Sequence, residues 1–142
     1  MSEQFLASAT ITVKAAPSRV WEALTKPELI KQYLFGTDVT TDWRVGSSIT
    51  YKGAWEGKPY EDKGKILEVD PGRLLVSSYW SSLSGVPDVT ENYVTVRYEV
   101  TQEAGGSRLT ITQDNNKTQA DADHSSQNWK MVLYGLKKLL ES

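Results

Sequence analysis

Few side chains in this chain could do chemistry, and their spacing limits what each could do. His124 is the sole histidine, and it sits in DADHSS beside Asp121, Asp123, Ser125 and Ser126. A Ser–His–Asp relay needs nucleophile and base to converge, yet residues adjacent in sequence project in different directions. Metal-ligand spacing such as HExxH is absent. His124 therefore reads as a solvated residue just before a final helix. There is no cysteine, which excludes a thiolate nucleophile, a disulfide and a thiolate metal site. General acid–base work requires two carboxyl groups in one pocket with separated pKa values. Glu56, Glu61 and Asp62 lie near one turn, and Glu68 and Asp70 near another. Strand alternation sends Glu61 and Asp62 to opposite faces, so these carboxylates read as a solvated rim. Neither GxGxxG nor GxxxxGK[ST] occurs, so no phosphate cradle is expected. No catalytic residue, metal ligand or cofactor is assigned.

What remains is aromatic and apolar. Five Trp and seven Tyr stand against two Phe. Trp and Tyr join a large apolar body to a polar tip, which suits a core or a semi-polar pocket wall. The expected wall comprises Trp43, Tyr51, Trp55, Trp80, Val96, Tyr98, Trp129, Leu133 and Leu136. The same residues could instead fill an ordinary core, and a one-residue slip in any strand would move its members to the other face.

Those residues must be positioned by regular elements. FLASATITV alternates at its end, with Ala9, Ile11 and Val13 on one face, which predicts a half-buried strand. Pro17 suits a helix start, and Val20, Trp21 and Leu24 follow at helical spacing. Pro27 must interrupt that helix, and Leu29, Ile30, Tyr33 and Leu34 form a second stripe. From Gly36 to about Asn115 the period is mostly two. Ile49, Tyr51, Gly53 and Trp55 share a face; Glu56-Gly57-Lys58 is a hairpin turn; Asp70-Pro71-Gly72-Arg73 is another. Leu74, Val76, Ser78 and Trp80 are expected on one face, as are Val94, Val96, Tyr98 and Val100. Glu103 to Gly106 turns the chain into a strand that carries Leu109 and Ile111 inward. Alternation of this kind indicates an antiparallel sheet with one wet face. The final element is a helix capped by Asp121 or Asp123, with Trp129, Val132, Leu133, Leu136, Leu139 and Leu140 as its apolar stripe.

The expected class is α+β: six or seven antiparallel strands, two short helices after the first strand, and a long C-terminal helix over the concave face. At 142 residues, without repeat or linker, residues 1–142 read as one domain. The net charge is −2 and the basic residues are scattered, so nucleic acid is not an expected partner. MSEQFLASAT lacks the features of a signal peptide, and no apolar run nears the ~20 residues of a membrane span; a cytoplasmic location is expected.

Four collinear segments are similar to a known superfamily. ITVKAAPSRVWEALTKPELIKQYL resembles the opening of the SRPBCC superfamily, the helix-grip fold of the START and birch-pollen-allergen type. KGKILEVDPGRLLVSSYW, RYEVTQEAGGSRLTITQ and SSQNWKMVLYGLKKLLE resemble its middle segment, its late hairpin and its terminal helix. Within it, the chain most resembles the branch of the activator of the Hsp-90 ATPase. Two positions depart: Asn128 stands where that family usually has Gly, and Tyr33-Leu34 where a Trp is common. The resemblance implies a cavity between sheet and terminal helix for a small apolar or amphipathic molecule. It also implies two alternatives. One is a chaperone or other protein partner, met by the sheet's outer face and loop 81–90. The other is a cyclase-like enzyme, for which Tyr51 or Tyr98 with Glu68 would be the polar pair. No oligomeric state follows.

Overall fold

Proline, glycine and bulges set the course of the chain. The structure is a computed structural model that describes residues 5–34, 36–82 and 85–141, without the side chain of Trp55. Strand β1 (Phe5–Val13) leads into helices α1 (Pro17–Thr25) and α2 (Pro27–Tyr33). Both helices begin on a proline, where the missing N–H would have had no helical partner. Lys26 between them is extended (φ −100°, ψ 115°), as a residue before proline prefers. Then follow β2 (Asp38–Thr40), β3 (Ser48–Trp55), β4 (Lys58–Asp70), β5 (Leu74–Tyr79), β6 (Val94–Glu103), β7 (Gly106–Asn116) and helix α3 (Gln119–Glu141).

The seven strands form one antiparallel sheet in the order β1-β7-β6-β5-β4-β3-β2. With the early helix pair and the terminal helix, this is the expected α+β helix-grip. The β3–β4 loop is two residues, Glu56 and Gly57, both at positive φ (50° and 79°). That is the twist a tight hairpin needs, and it pairs Trp55 with Lys58 and Tyr51 with Asp62. Gly64 in β4 permits close approach of β5: a Cβ there would lie 1.8 Å from the Ser78 carbonyl oxygen. Register shifts leave one extra residue in β7, where Asp114 and Asn115 face Leu6 of β1, and one in β4 at Leu67, and such bulges bend a strand and increase its twist.

Helix α3 starts earlier than Asp121 or Asp123 would allow. Its N-cap is Thr118, whose hydroxyl accepts from the Asp121 N–H at 3.0 Å. Its 23 residues span roughly 35 Å at 1.5 Å per residue. The helix packs chiefly on β1 and β7, and α1 and α2 sit beside it. The core is consequently split. One cluster joins α1, α3, β1, β6 and β7 around Val20, Leu109, Ile111, Leu133 and Leu136. The other joins α2 to the β2–β5 half around Ile30, Val39, Ile49, Ile66 and Leu75. Trp21, Tyr33 and Tyr98 touch both clusters. Among the described residues, no helix is long and apolar enough to cross a membrane.

Candidate functional site

A cavity of about 360 Å³ lies between the two halves of the core. Its floor is the concave face of the sheet: Val39, Ile49, Tyr51, Tyr60, Asp62, Leu75, Ser77, Tyr79, Val96, Tyr98, Ile111 and Gln113. Its roof comes from α1 and α2 (Leu24, Ile30, Tyr33) and from α3 (Trp129, Val132, Leu133, Leu136), with Asn128 at the exposed rim. Period-two alternation explains the floor and a period near 3.6 explains the roof, because each element turns one set of side chains inward.

The wall is aromatic. Tyr51 and Tyr79 meet edge to face at 5.4 Å between centroids, and Tyr98 meets Trp129 in the same way at 6.0 Å. Several of the rings have a partner for their polar tip. The Trp129 indole N–H donates to Gln113 Oε1 at 2.8 Å, and the Tyr33 hydroxyl donates to the Ala23 carbonyl at 2.7 Å, which ties α2 to α1. Tyr60 shares a hydrogen bond with Thr37, and its ring lies over Gly53, where a Cβ would meet the phenol oxygen at 2.5 Å. Burial pushes the phenols of Tyr33, Tyr51, Tyr79 and Tyr98 up, because a phenolate there would lose its hydration.

One end of the cavity is polar. Asp62 is 6% exposed. Its carboxylate accepts from the Tyr79 hydroxyl, from the Ser82 N–H at 3.0 Å and from the Ser82 hydroxyl at 3.4 Å. The hydrogen bond to Asp62 and its negative charge add to burial in raising the Tyr79 phenol. Tyr51 lies directly across from Asp62 in the β3–β4 register and is paired with Ser77. Among the described residues that line the cavity there is no Lys, Arg or His.

Trp43, also on the cavity wall, carries backbone strain. Its φ of 63° is a left-handed conformation that bulky residues rarely adopt, costing of order 1–3 kcal/mol. The turn around it is held by the Trp43 N–H to the Thr41 hydroxyl and by the Arg44 N–H to Asp42 Oδ1.

Seven of the nine residues expected on the wall are there: Trp43, Tyr51, Val96, Tyr98, Trp129, Leu133 and Leu136. Trp80 is not. It stacks on Tyr93 at 6.5 Å, lies near the Lys63 ammonium, and donates its N–H to the Val86 carbonyl. In β5 the inward set is Leu75, Ser77 and Tyr79, the opposite phase from the one expected. LLVSSYW carries apolar side chains in both phases, and Val76 is buried on the outer face too, so period alone chose wrongly. The side chain of Trp55 lies outside the described residues; its backbone ends β3.

The carboxylates also need correction. Asp62 is no solvated rim residue, whereas Glu68 is exposed and cannot pair with Tyr51 or Tyr98 inside. His124 is an exposed residue within α3, not before it. The Ser125 hydroxyl bonds Asn116, and the Ser126 hydroxyl accepts from the Ser8 N–H, so neither is poised for a relay with His124. Tyr60, Ser77, Tyr79 and Gln113, which also line the cavity, are not among the residues the sequence pattern points to, and Asp62 is among them only as a rim carboxylate. The two-residue hairpin at Glu56-Gly57 was the available signal, since it alone fixes Asp62 on the face of Tyr51.

Comparison with known proteins gives a consistent picture. The family model described as activator of Hsp90 ATPase homolog 1-like protein matches residues 14–141. A solved protein from Cytophaga hutchinsonii is 45% identical, with a TM-score of 0.87 over 99% of this chain and 97% of that one. The Aha1 dimer from Colwellia psychrerythraea is 20% identical, with a TM-score of 0.73 over 96% of each chain. DynU16, from the dynemicin biosynthetic locus, is 19% identical, with a TM-score of 0.80 over 97% of this chain and 48% of its own. The last two show likeness of fold. No curated protein matches the chain.

Proposed function

The chain belongs to the family of activator of Hsp90 ATPase homolog 1-like proteins, and from that premise we propose that it is a binding domain for a small apolar or amphipathic molecule held between sheet and terminal helix. The observation that carries this reading is the aromatic cavity of about 360 Å³ between the two core clusters. Ligand pockets are typically about 300–1,000 Å³, mostly apolar, with a few placed polar groups. This one has aromatic and aliphatic walls and one polar end at Asp62, Tyr79 and Tyr51. Trp43, Tyr51, Val96, Tyr98, Trp129, Leu133 and Leu136 are the proposed contact residues. A ligand that fits should be apolar over most of its length and polar at one end.

The test is binding of neutral aromatic probes of one to three fused rings, followed by tryptophan fluorescence and thermal shift. A probe at a hundred times its Kd should stabilise the fold by about 2.7 kcal/mol. Leu133→Arg, which drives a charge into the cavity, should abolish binding. Absence of saturable binding across the panel would overturn the proposal.

A second reading, contact with a protein, is supported by a different surface. Met131 and Tyr134, one turn apart on α3, are 63% and 67% exposed. The structurally similar Colwellia protein was solved as a dimer. Light scattering across a concentration series tests self-association, and Met131→Lys with Tyr134→Lys should dissolve any dimer built on that face. A monomer at every concentration removes the self-association form of this reading.

A further inference from the structure

Resting on the ligand-binding reading above, we propose that the cavity selects an aromatic or aliphatic molecule ending in a protonated amine over its neutral or carboxylate counterparts. Among the described residues, the carboxyl group on the cavity wall, that of Asp62, has no cationic partner. Asp62 lines the void, and its hydrogen-bond partners among the described residues are neutral: the Tyr79 hydroxyl, the Ser82 N–H and the Ser82 hydroxyl. A carboxylate offers about four acceptor positions, so three donors leave room for another from the cavity side. No lysine, arginine or histidine among the described residues lines the cavity. The next residue, Lys63, is engaged elsewhere, with Asp88.

The surrounding surface favours the same charge. Tyr51, across from Asp62 in the β3–β4 register, and Tyr79, bonded to it, bring their rings to the wall beside the carboxylate, and Tyr98 lines the same cavity. Aromatic faces attract cations, and they do so more strongly where water is excluded. An ammonium group could donate to Asp62 while its apolar body extends toward Trp129 and Leu133. A carboxylate ligand would instead place a second negative charge beside Asp62 in a medium of low polarity, where like charges repel strongly. Fatty-acid-like anions are therefore the disfavoured class. A neutral alcohol can still donate one hydrogen bond, but without the charge-assisted gain.

Three probes with one apolar body separate these cases: naphthylmethylamine, naphthylmethanol and naphthoate, titrated calorimetrically at neutral pH. The amine should bind about tenfold more tightly than the alcohol, as expected for a hydrogen bond that gains charge assistance, and naphthoate should bind least. Asp62→Asn should remove the difference between amine and alcohol, because the amide oxygen still accepts a hydrogen bond but carries no charge. Tyr79→Phe, which deletes a donor and leaves the charge, should keep the preference for the amine, so the inference does not depend on Asp62→Asn folding. Alcohol binding as tight as amine binding in the unaltered protein would overturn the charge selection and leave the cavity reading standing. A preference for the amine that survives Asp62→Asn would also overturn it. Failure of all three probes to bind would overturn both.

Discussion

Replacing Leu133 by alanine opens the cavity from its roof, and the structure sets the size of the effect. Leu133 is 1% exposed and packs in the α3-side cluster, with one side on the void. Buried Leu→Ala changes cost about 2–5 kcal/mol, the cost rising with the space left unfilled. Because Leu133 already borders a void, it has fewer partners to lose, and the lower part of that range, about 2–3 kcal/mol, applies. For a chain of this length, 1 kcal/mol moves the melting temperature by roughly 3–4 °C, so Tm should fall by roughly 6–12 °C. Urea denaturation should show a lower midpoint at unchanged slope, the mark of a change in stability alone. The same variant should bind pyrenylmethanol better relative to naphthylmethanol, because the deleted atoms enlarge the cavity. A loss under about 1 kcal/mol would mean that Leu133 is not packed in a core. A relative gain for the smaller probe would mean that it does not border the ligand's space.

Three further outcomes follow from the same geometry. Gly64→Ala puts a Cβ 1.8 Å from the Ser78 carbonyl oxygen, which is backbone and cannot step aside; it should destabilise by more than about 2 kcal/mol in urea unfolding, well beyond an ordinary surface substitution. Thr118→Ala removes the cap of α3 and should cost about 1 kcal/mol in the same assay, with Thr118→Ser restoring it. Tyr33, Tyr51, Tyr79 and Tyr98 all have phenols raised by burial. Unfolded tyrosines lose their protons near pH 10 while the folded ones hold theirs, so stability should be intact below about pH 10 and fall as pH rises above it; unfolding midpoints at alkaline pH measure the slope, which should flatten in Tyr51→Phe.

Sequence patterning was most informative where one phase of an element is apolar and the other polar. In β6, Val94, Val96, Tyr98 and Val100 alternate with Thr95, Arg97 and Glu99, and the inward phase follows directly. In α3, Trp129, Leu133 and Leu136 fall on one stripe, so the helix's inner face was legible. It failed in β5, where Leu74, Leu75 and Val76 place apolar groups on both faces and neither phase is excluded. Asp62 was misread for a different reason. A carboxylate normally prefers water, and its burial depends on partners from distant strand and loop residues, Tyr79 and Ser82. The start of α3 was set too late because Asp121 and Asp123 are plausible caps, while the geometry favours Thr118 one turn earlier. The split core is a property of how α3 packs on β1 and β7, and no single segment records it.

The indole N–H signals of the tryptophans offer the most direct measurement of whether the cavity binds a ligand. Trp129 lines the cavity, its N–H held by Gln113, whereas Trp80 lies off it against Tyr93 and Val86. In a two-dimensional NMR titration with naphthylmethanol, the Trp129 signal should shift along a saturable curve, with Trp43 following and Trp80 unmoved. A Trp129 signal that stays fixed at saturating probe, or a shift confined to Trp80, would contradict binding in the cavity.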